Sequence, residues 1–420
     1  MRPPKSSLPL YLCLIGLACI AAGQHGQRPL QAGATAPNVL FILTDDQDLR
    51  MDSLSYMPLL KHHIVDQGLS FNRHYCTVAL CCPSRVSMWT GKAARGYPKF
   101  VSEGFNNNYL PLWLQEAGYG TYYVGKLFNA QSVTNYDSPH AAGWTGSEFL
   151  LDPYTYRYFN ATLQRNFDKP VSYEGQYVTD VISEKAHGFL DDALQAREET
   201  GQPFFLTVAP TAPHSDVNIK RNNIDGDFDE NTNVQSPPVP ADRHKDLFPD
   251  VVVPRTPNFN PDEPAGASWI SRLPKQNQTN VDFNDHFYRN RLRSLQAVDE
   301  MVDHLVKRLE EADILDNTYI VYSTDNGYTI GQHRRQPGKQ CAFEQDINVP
   351  LIVRGPGVPK GISTDVVTSH TDLAPTFMAL TGARPPIDFI LDGQAIPLDG
   401  VRVEDQRQEH VNVEMYQTHV

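Results

Sequence analysis

One run of residues combines types and spacing suited to chemistry on an anion. Cys81-Cys82-Pro83-Ser84-Arg85 leads into Val86 to Thr90 and then Gly91-Lys92. Proline suits the first turn of a helix, so the spacing predicts a helix that starts here. Cys81 then lies at its positive N-terminus, where free N–H groups and the helix dipole stabilise an anion. A buried cysteine pair, or a disulfide to Cys76, fits the same spacing equally well. Two acidic strand ends follow apolar runs: Asp45-Asp46 and Asp325-Asn326. Three carboxylates and an amide oxygen, without histidine or thiolate, favour Ca²⁺ or Mg²⁺ over zinc. Four side chains cannot alone supply the roughly six to eight oxygens of a calcium shell. A bidentate carboxylate, a bound anion and residue 81 would complete it. Alone, Asp45-Asp46 reads better as a strand-end turn. The second acidic strand end and the cysteine turn reverse that reading. Lys126, Lys339 and His214, each taken singly, are ordinary solvated or loop residues.

Cys-x-Pro-Ser-Arg resembles the signature of the sulfatase family, in which the first cysteine becomes formylglycine after translation. Four fixed residues arise by chance in roughly one chain in a few hundred of this length. The motif has companions in the family's order. PNVLFILTDDQD (37–48) looks like the first metal-binding strand, and TAPHS (211–215) like the histidine loop. YSTDNGYTIG (322–331) looks like the second metal-binding strand. Gly338-Lys339 and VPLIVRGPGV (349–358) resemble later segments. The likeness covers about residues 37 to 380 and is nearest to fungal arylsulfatases and animal N-acetylglucosamine-6-sulfatases.

The resemblance implies a sulfuric ester hydrolase acting on an aryl sulfate or a sulfated sugar. It implies one Ca²⁺ held by Asp45, Asp46, Asp325, Asn326 and the modified Cys81, and a formylglycine-generating enzyme as the maturation partner. The hydrated aldehyde offers two hydroxyls; one attacks sulfur and displaces the alcohol or phenol, and the other then loses its proton to expel sulfate and regenerate the aldehyde. Arg85 would hold the hydrate, Lys126 and Lys339 the sulfate oxygens, and His214 would protonate the leaving oxygen or bind sulfate. Many sulfatases have Lys-x-His where this chain has Lys126-Leu127-Phe128; Asn129 fits the 6-O-sulfatase-like branch. Thr329 stands where glucosamine sulfatases often carry histidine. The alternatives are an N-acetylglucosamine-6-sulfatase-like activity, a phosphoesterase of the alkaline-phosphatase group, or a non-catalytic glycoprotein with unconverted Cys81.

These residues need a scaffold that gathers strand ends. Asn38–Leu43, Thr121–Val124, Phe204–Val208 and Thr318–Tyr322 are short apolar runs that end in polar or turn residues. Such runs suit a sheet covered on both faces. Helical spacing marks Tyr56–Gln67, and His286–Glu311 with Leu292, Leu295, Val298, Val302, Leu305 and Leu309 on one face. His62 and His63 are expected at the surface, and His333 near the site. Alternation of strands and helices predicts an α/β fold with its site at the carboxyl ends of strands. The resemblance makes this an alkaline-phosphatase-like sandwich: a large, mostly parallel mixed sheet flanked by helices. Residues 37–383 form the expected catalytic domain. Residues 384–420 look like the incomplete start of a smaller C-terminal subdomain, with Glu409–Tyr416 as an approach strand. The acidic, proline-rich stretch 222–268 reads as a surface insertion, solvated rather than covering the site.

The 420 residues, 40% hydrophobic and 20% charged, are ordinary for a globular chain. A formal charge of −13 argues against nucleic acid as partner, because phosphate binding needs a positive field. Arg2, Lys5 and the apolar run Leu10–Ala22 read as a signal peptide over residues 1–23, followed by a linker, 24–36. No later stretch is long enough for a stable membrane span. The expected location is secreted or lumenal, the vacuole or lysosome included. Asn160 and Asn277 begin glycosylation sequons, plausible after such a leader. Of six cysteines, Cys76, Cys81, Cys82 and Cys341 lie beyond it, three of them within seven residues. That crowding makes a poor disulfide framework.

Overall fold

The computed structural model describes residues 36–93, 97–218, 234–264, 266, 269–399 and 410–414. The expected signal peptide and all of the expected linker but Ala36 lie outside them. Ten strands form the main sheet: β1 Asn38–Thr44, β2 Leu69–Phe71, β3 Gly120–Gly125, β4 Gly146–Leu150, β5 Asn160–Arg165, β6 Val171–Glu174, β7 Phe204–Ala209, β8 Thr318–Thr324, β9 Leu351–Arg354 and β10 Ile362–Thr364. Their order is β10-β2-β9-β8-β1-β7-β3-β4-β5-β6. The central five, β8-β1-β7-β3-β4, run parallel. Antiparallel pairings flank them, between β8 and β9, β9 and β2, β4 and β5, and β5 and β6. The sheet is mixed and parallel at its centre, as expected.

The continuous apolar run of β1 has a direct cause. Leu40 and Ile42 point into one core with the helices α3 Val178–Thr200 and α4 Gln278–Glu311. Val39, Phe41 and Leu43 point into the other, with α1 Cys81–Thr90, α2 Leu110–Glu116 and α5 Leu373–Thr381. Side chains alternate across a strand, so a strand covered on both faces must be apolar throughout. The six apolar residues marked on α4 are all fully buried. The helix starts eight residues before its clear periodicity because the Asn277 side chain caps it, accepting from the Asn280 N–H at 3.0 Å. That cap uses Oδ1, so Nδ2 remains the atom a glycan would take. Asn160 begins β5, half-buried.

Four expectations need correction. The helix expected over Tyr56–Gln67 is broken into a 3₁₀ turn at Ser53–Tyr56, an α turn at Pro58–Leu60 and a π turn at Lys61–Val65. His63 is buried there, with Nε2 2.7 Å from Asp303 of α4; a partner 240 residues away gives no local signal. Part of the 222–268 stretch is described; many of its residues are exposed, but it is anchored to the core rather than solvated throughout. Val253 is fully buried, Ala241 joins the core, and Arg255 pairs with Asp285 of α4 at 2.6 Å. Of Glu409–Tyr416, residues 410–414 are described and form no strand; the Glu414 N–H donates to Thr77 O at 2.8 Å. No helix among the described residues is long and apolar enough to cross a membrane.

Candidate active site

The carboxyl ends of four adjacent parallel strands converge on one point, where α/β sheets place their sites. Asp325 and Asn326 follow β8, Asp45 and Asp46 follow β1, the loop carrying His214 follows β7, and Lys126 follows β3. Successive strand residues face opposite sides of a sheet. Asp46 escapes this rule by taking a left-handed backbone, φ 66°, uncommon for a non-glycine residue. Gly125 turns Lys126 inward at φ 109°. A Cβ there would lie 2.0 Å from Ala209 O, and the Lys126 N–H donates to that oxygen at 3.0 Å.

Cys81 is the first residue of α1, and Pro83 lies within the first turn, where its missing N–H costs nothing. Cys76, Cys81 and Cys341 are buried free thiols, which removes the disulfide between Cys76 and Cys81. The Cys81 Sγ lies 3.6 Å from Asp45 Oδ1 and 3.8 Å from Asp46 Oδ1. Lys339 Nζ touches Cys81 Sγ and Asp46 Oδ1. Two contacts steer Lys339 there: the bridge between Thr329 and Gly338, and the Gln340 N–H on Ala79 O at 3.1 Å.

Buried opposite charges surround the thiol. Arg85, one turn along α1, donates through Nε to Asp325 Oδ2 at 2.8 Å, and its Nη2 lies 3.8 Å from Asp45. Lys126 Nζ is 2.6 Å from Asp45 Oδ2 and 3.8 Å from Asp325 Oδ2. Asp325 Oδ1 accepts from the N–H groups of Asp46 and Asn326, at 3.0 and 2.9 Å. Burial works to raise the Asp325 pKa, but Arg85, Lys126 and Lys339 overcome it and hold this carboxyl well below the usual range. Asp46 ends lowered too, with Lys339 and His214 outweighing burial. Asp45 goes the other way: burial and the Asp325 charge push it up against Lys126, His214 and Arg85. Burial also pushes the Cys81 thiol up, against the pull of Lys126 and Lys339. His214 is lowered by burial, despite the pull of Asp46 and Asp45. Its Nδ1–H donates to Ser215 O at 2.9 Å, leaving Nε2 facing Asp46 Oδ2 at 3.5 Å.

The residues fit a divalent cation. Donor atoms of Asp45, Asp46, Cys81 and His214 lie within 4.8 Å of one another. Asp46 Oδ2 and Arg85 Nη2 are buried without hydrogen-bond partners, and Asp45 Oδ1 faces a thiol, a weak donor. Buried orphans of this kind are what a bound ion or anion satisfies. The outer pair is arranged differently from the expectation. Both Asp325 oxygens already accept hydrogen bonds, and Asn326 presents Nδ2 to Asp46 Oδ1 at 2.8 Å, with Oδ1 3.5 Å from Lys339. A carboxylate oxygen has a second lone pair, and an amide flip exchanges Nδ2 for Oδ1, so both can still ligate.

Sequence reasoning missed several residues here. Arg291 of α4, fully buried, donates to Asp46 O at 2.6 Å, Asp48 Oδ1 at 3.2 Å and Pro213 O at 3.3 Å, clamping two site loops. Tyr156 stacks on His214, with ring centroids 4.1 Å apart and planes 22° apart. Gln235, from the supposedly solvated stretch, donates to Ser215 Oγ at 2.7 Å and so borders the histidine loop. His333 instead stacks on Phe343, with ring centroids 3.9 Å apart. Phe128 packs in the core against Phe100, and Asn129 donates to the Tyr156 hydroxyl at 2.5 Å.

His370 lies behind the site. Ser84 Oγ donates to Asp325 O at 2.5 Å, so His370 Nδ1–H must be the donor to Ser84 Oγ at 2.7 Å. Burial drives this imidazole down from 6.5 to about 3. A histidine lowered on folding is protonated first in the unfolded chain. Its contribution is intact above about 6.5 and drains by about 1.4 kcal/mol per pH unit as pH falls towards about 3. Urea denaturation at pH 7 and pH 5 should show a smaller loss for His370→Gln than for the parent. Equal losses would contradict the assignment.

The sulfatase family model matches residues 37–383, which contain every residue of this site. An arylsulfatase of Volvox carteri is 38% identical over 93% of the chain, and the match covers 61% of that protein. Human N-acetylglucosamine-6-sulfatase is 32% identical over 90% of the chain and 66% of its own length. The chain thus spans about two thirds or less of the curated relatives it matches. A solved structure described as a complex with its substrate D-glucosamine-2-N,6-O-disulfate superposes with a TM-score of 0.65 at 23% identity. It covers 87% of this chain and 82% of the other, a likeness of fold. Since the family match runs from the first acidic strand end past the last cationic loop, the chain belongs to the sulfatase family.

Proposed function

We propose that the chain hydrolyses sulfate monoesters, with an aryl sulfate as substrate, after Cys81 is converted to formylglycine by a maturation enzyme. The observation that carries this reading is the buried Cys81 thiol, within 3.6 and 3.8 Å of the carboxylates of Asp45 and Asp46 and in contact with Lys339. A thiol lacks the paired hydroxyls through which a bound sulfate can be expelled, so the proposed chemistry at this position calls for another functional group. Formylglycine supplies, as its hydrate, a hydroxyl nucleophile, and calcium supplies charge neutralisation and orientation of sulfate oxygens. Asp45, Asp46, Asp325 and Asn326, with residue 81, would hold the ion.

The protein's own groups divide the remaining work. Three carboxylates face three cations, so their formal charges cancel. A divalent ion makes the site net positive, which suits an anionic ester. Lys126 and Lys339 then bind sulfate oxygens as point charges. Arg85 stays fixed by Asp325 and offers the unpartnered Nη2 to residue 81. As the imidazolium, His214 would give the leaving oxygen a proton from Nε2, because its Nδ1–H is committed to Ser215 O. The side chains of Lys339 and His214, 12% and 9% exposed, mark the way in.

A sulfated sugar is a second reading, favoured by the 32% identity to human N-acetylglucosamine-6-sulfatase. Signal-like residues and two sequons support secretion with glycans at Asn160 and Asn277. Turnover of 4-nitrophenyl sulfate and of glucosamine 6-sulfate by protein made together with a formylglycine-generating enzyme tests both. Release of sulfate from neither would overturn the reading.

A further inference from the structure

We infer that Tyr156 is a positioning residue that fixes the plane of His214 and the seat of Lys126 through one aromatic ring. The inference rests on the proposed sulfatase chemistry and adds a residue to it. Tyr156 comes from the loop after β4, and it is 6% exposed. Its ring stacks on the His214 imidazole at 4.1 Å and lies 4.8 Å from Lys126 Nζ. Asn129 donates to its hydroxyl at 2.5 Å, and the Val217 N–H donates to its carbonyl at 3.3 Å. The tyrosine is therefore tied at both ends.

The geometry leaves His214 little else to fix it. The Nδ1–H bond to Ser215 O sets one edge of the imidazole. A single hydrogen bond does not stop rotation about its own axis, and the stacked ring does. The Nε2 atom, 3.5 Å from Asp46 Oδ2, keeps its aim only while that stack holds. Lys126 is drawn towards Asp45 at 2.6 Å, and the negative face of the Tyr156 ring adds a second attraction. The sulfate-binding cation and the proton carrier thus share one support.

The test compares two esters. The leaving phenol of 4-nitrophenyl sulfate needs little protonation, and that of 4-methoxyphenyl sulfate needs more. For Tyr156→Leu, kcat on the methoxy ester is expected to fall about 100-fold, and on the nitro ester less than about tenfold. The ratio within one preparation does not depend on how much protein is folded. Tyr156→Phe keeps the ring, loses only the Asn129 bond, and should keep the parent ratio. An unchanged ratio in Tyr156→Leu, or an equal shift in Tyr156→Phe, overturns the inference. Crystal structures give a readout free of turnover: His214 Nε2 should leave Asp46 in Tyr156→Leu. A His214 ring that stays in place sinks the positioning role, even if no sulfate ester is hydrolysed.

Discussion

Cys81→Ala is expected to lower kcat for 4-nitrophenyl sulfate by about a million-fold, the scale at which removal of a nucleophile leaves only binding and electrostatics. The loss should come without unfolding. Alanine is a good helix former at the first position of α1, and losing one buried sulfur costs about 1 kcal/mol. Thermal melting should therefore stay near the parent value, and calcium content should fall with the loss of the ligand at residue 81, while turnover vanishes. The measurement is initial-rate kinetics on protein purified to the same folded fraction. A variant that keeps more than about one hundredth of parent kcat would end the assignment of residue 81 as nucleophile.

Asp325→Ala is expected to damage both stability and activity. Its carboxylate takes Arg85 Nε at 2.8 Å and the backbone N–H groups of Asp46 and Asn326, with Lys126 3.8 Å away. The side chains of Asp325, Arg85 and Lys126 are all fully buried. Removing the carboxylate leaves Arg85 and Lys126 with Asp45 alone as a near partner, and breaking a buried pair costs about 3–5 kcal/mol. The left-handed turn at Asp46 loses its anchor as well. Bound calcium should drop below one ion per chain by elemental analysis, and kcat should fall about 1,000-fold or more. Asp325→Asn keeps the shape and separates charge from packing. It should fold better than Asp325→Ala and still lose the ion. Parent-like calcium and parent-like urea stability in Asp325→Ala would contradict this picture.

How much of this was legible beforehand follows from where each signal lies. Asp45, Asp46 and Asp325 could be named because acidic residues there follow buried strands whose apolar runs mark them, whereas Lys126 and His214 gained their roles only from the resemblance. Cys81 and Arg85 could be named because they share one short motif, and Lys339 because it falls in the family's order after it. The structure brings all eight together, with Asn326. Arg291 stayed hidden because a buried arginine on an amphipathic helix looks like a surface charge until Asp46, 245 residues away, arrives beside it. His63 hid for the same reason behind Asp303. Tyr156 sits in a loop rich in aromatic residues, where no spacing distinguishes a ring that stacks on His214 from one that fills the core. The last two strands were unreadable because β5 buries polar residues, Thr162 and Gln164, and the edge strand β6 is largely exposed. The stretch after residue 222 misled because proline and acid suggest solvent, although Val253 and Arg255 dock it onto α4.

Peptide mass spectrometry bears most directly on the central claim. Trypsin should release His74–Arg85 with Cys81 inside it. In protein that turns over sulfate esters, this peptide is predicted about 18 Da lighter than its thiol form, in a fraction that rises with specific activity. Active protein in which every copy carries an unmodified Cys81 would contradict the account.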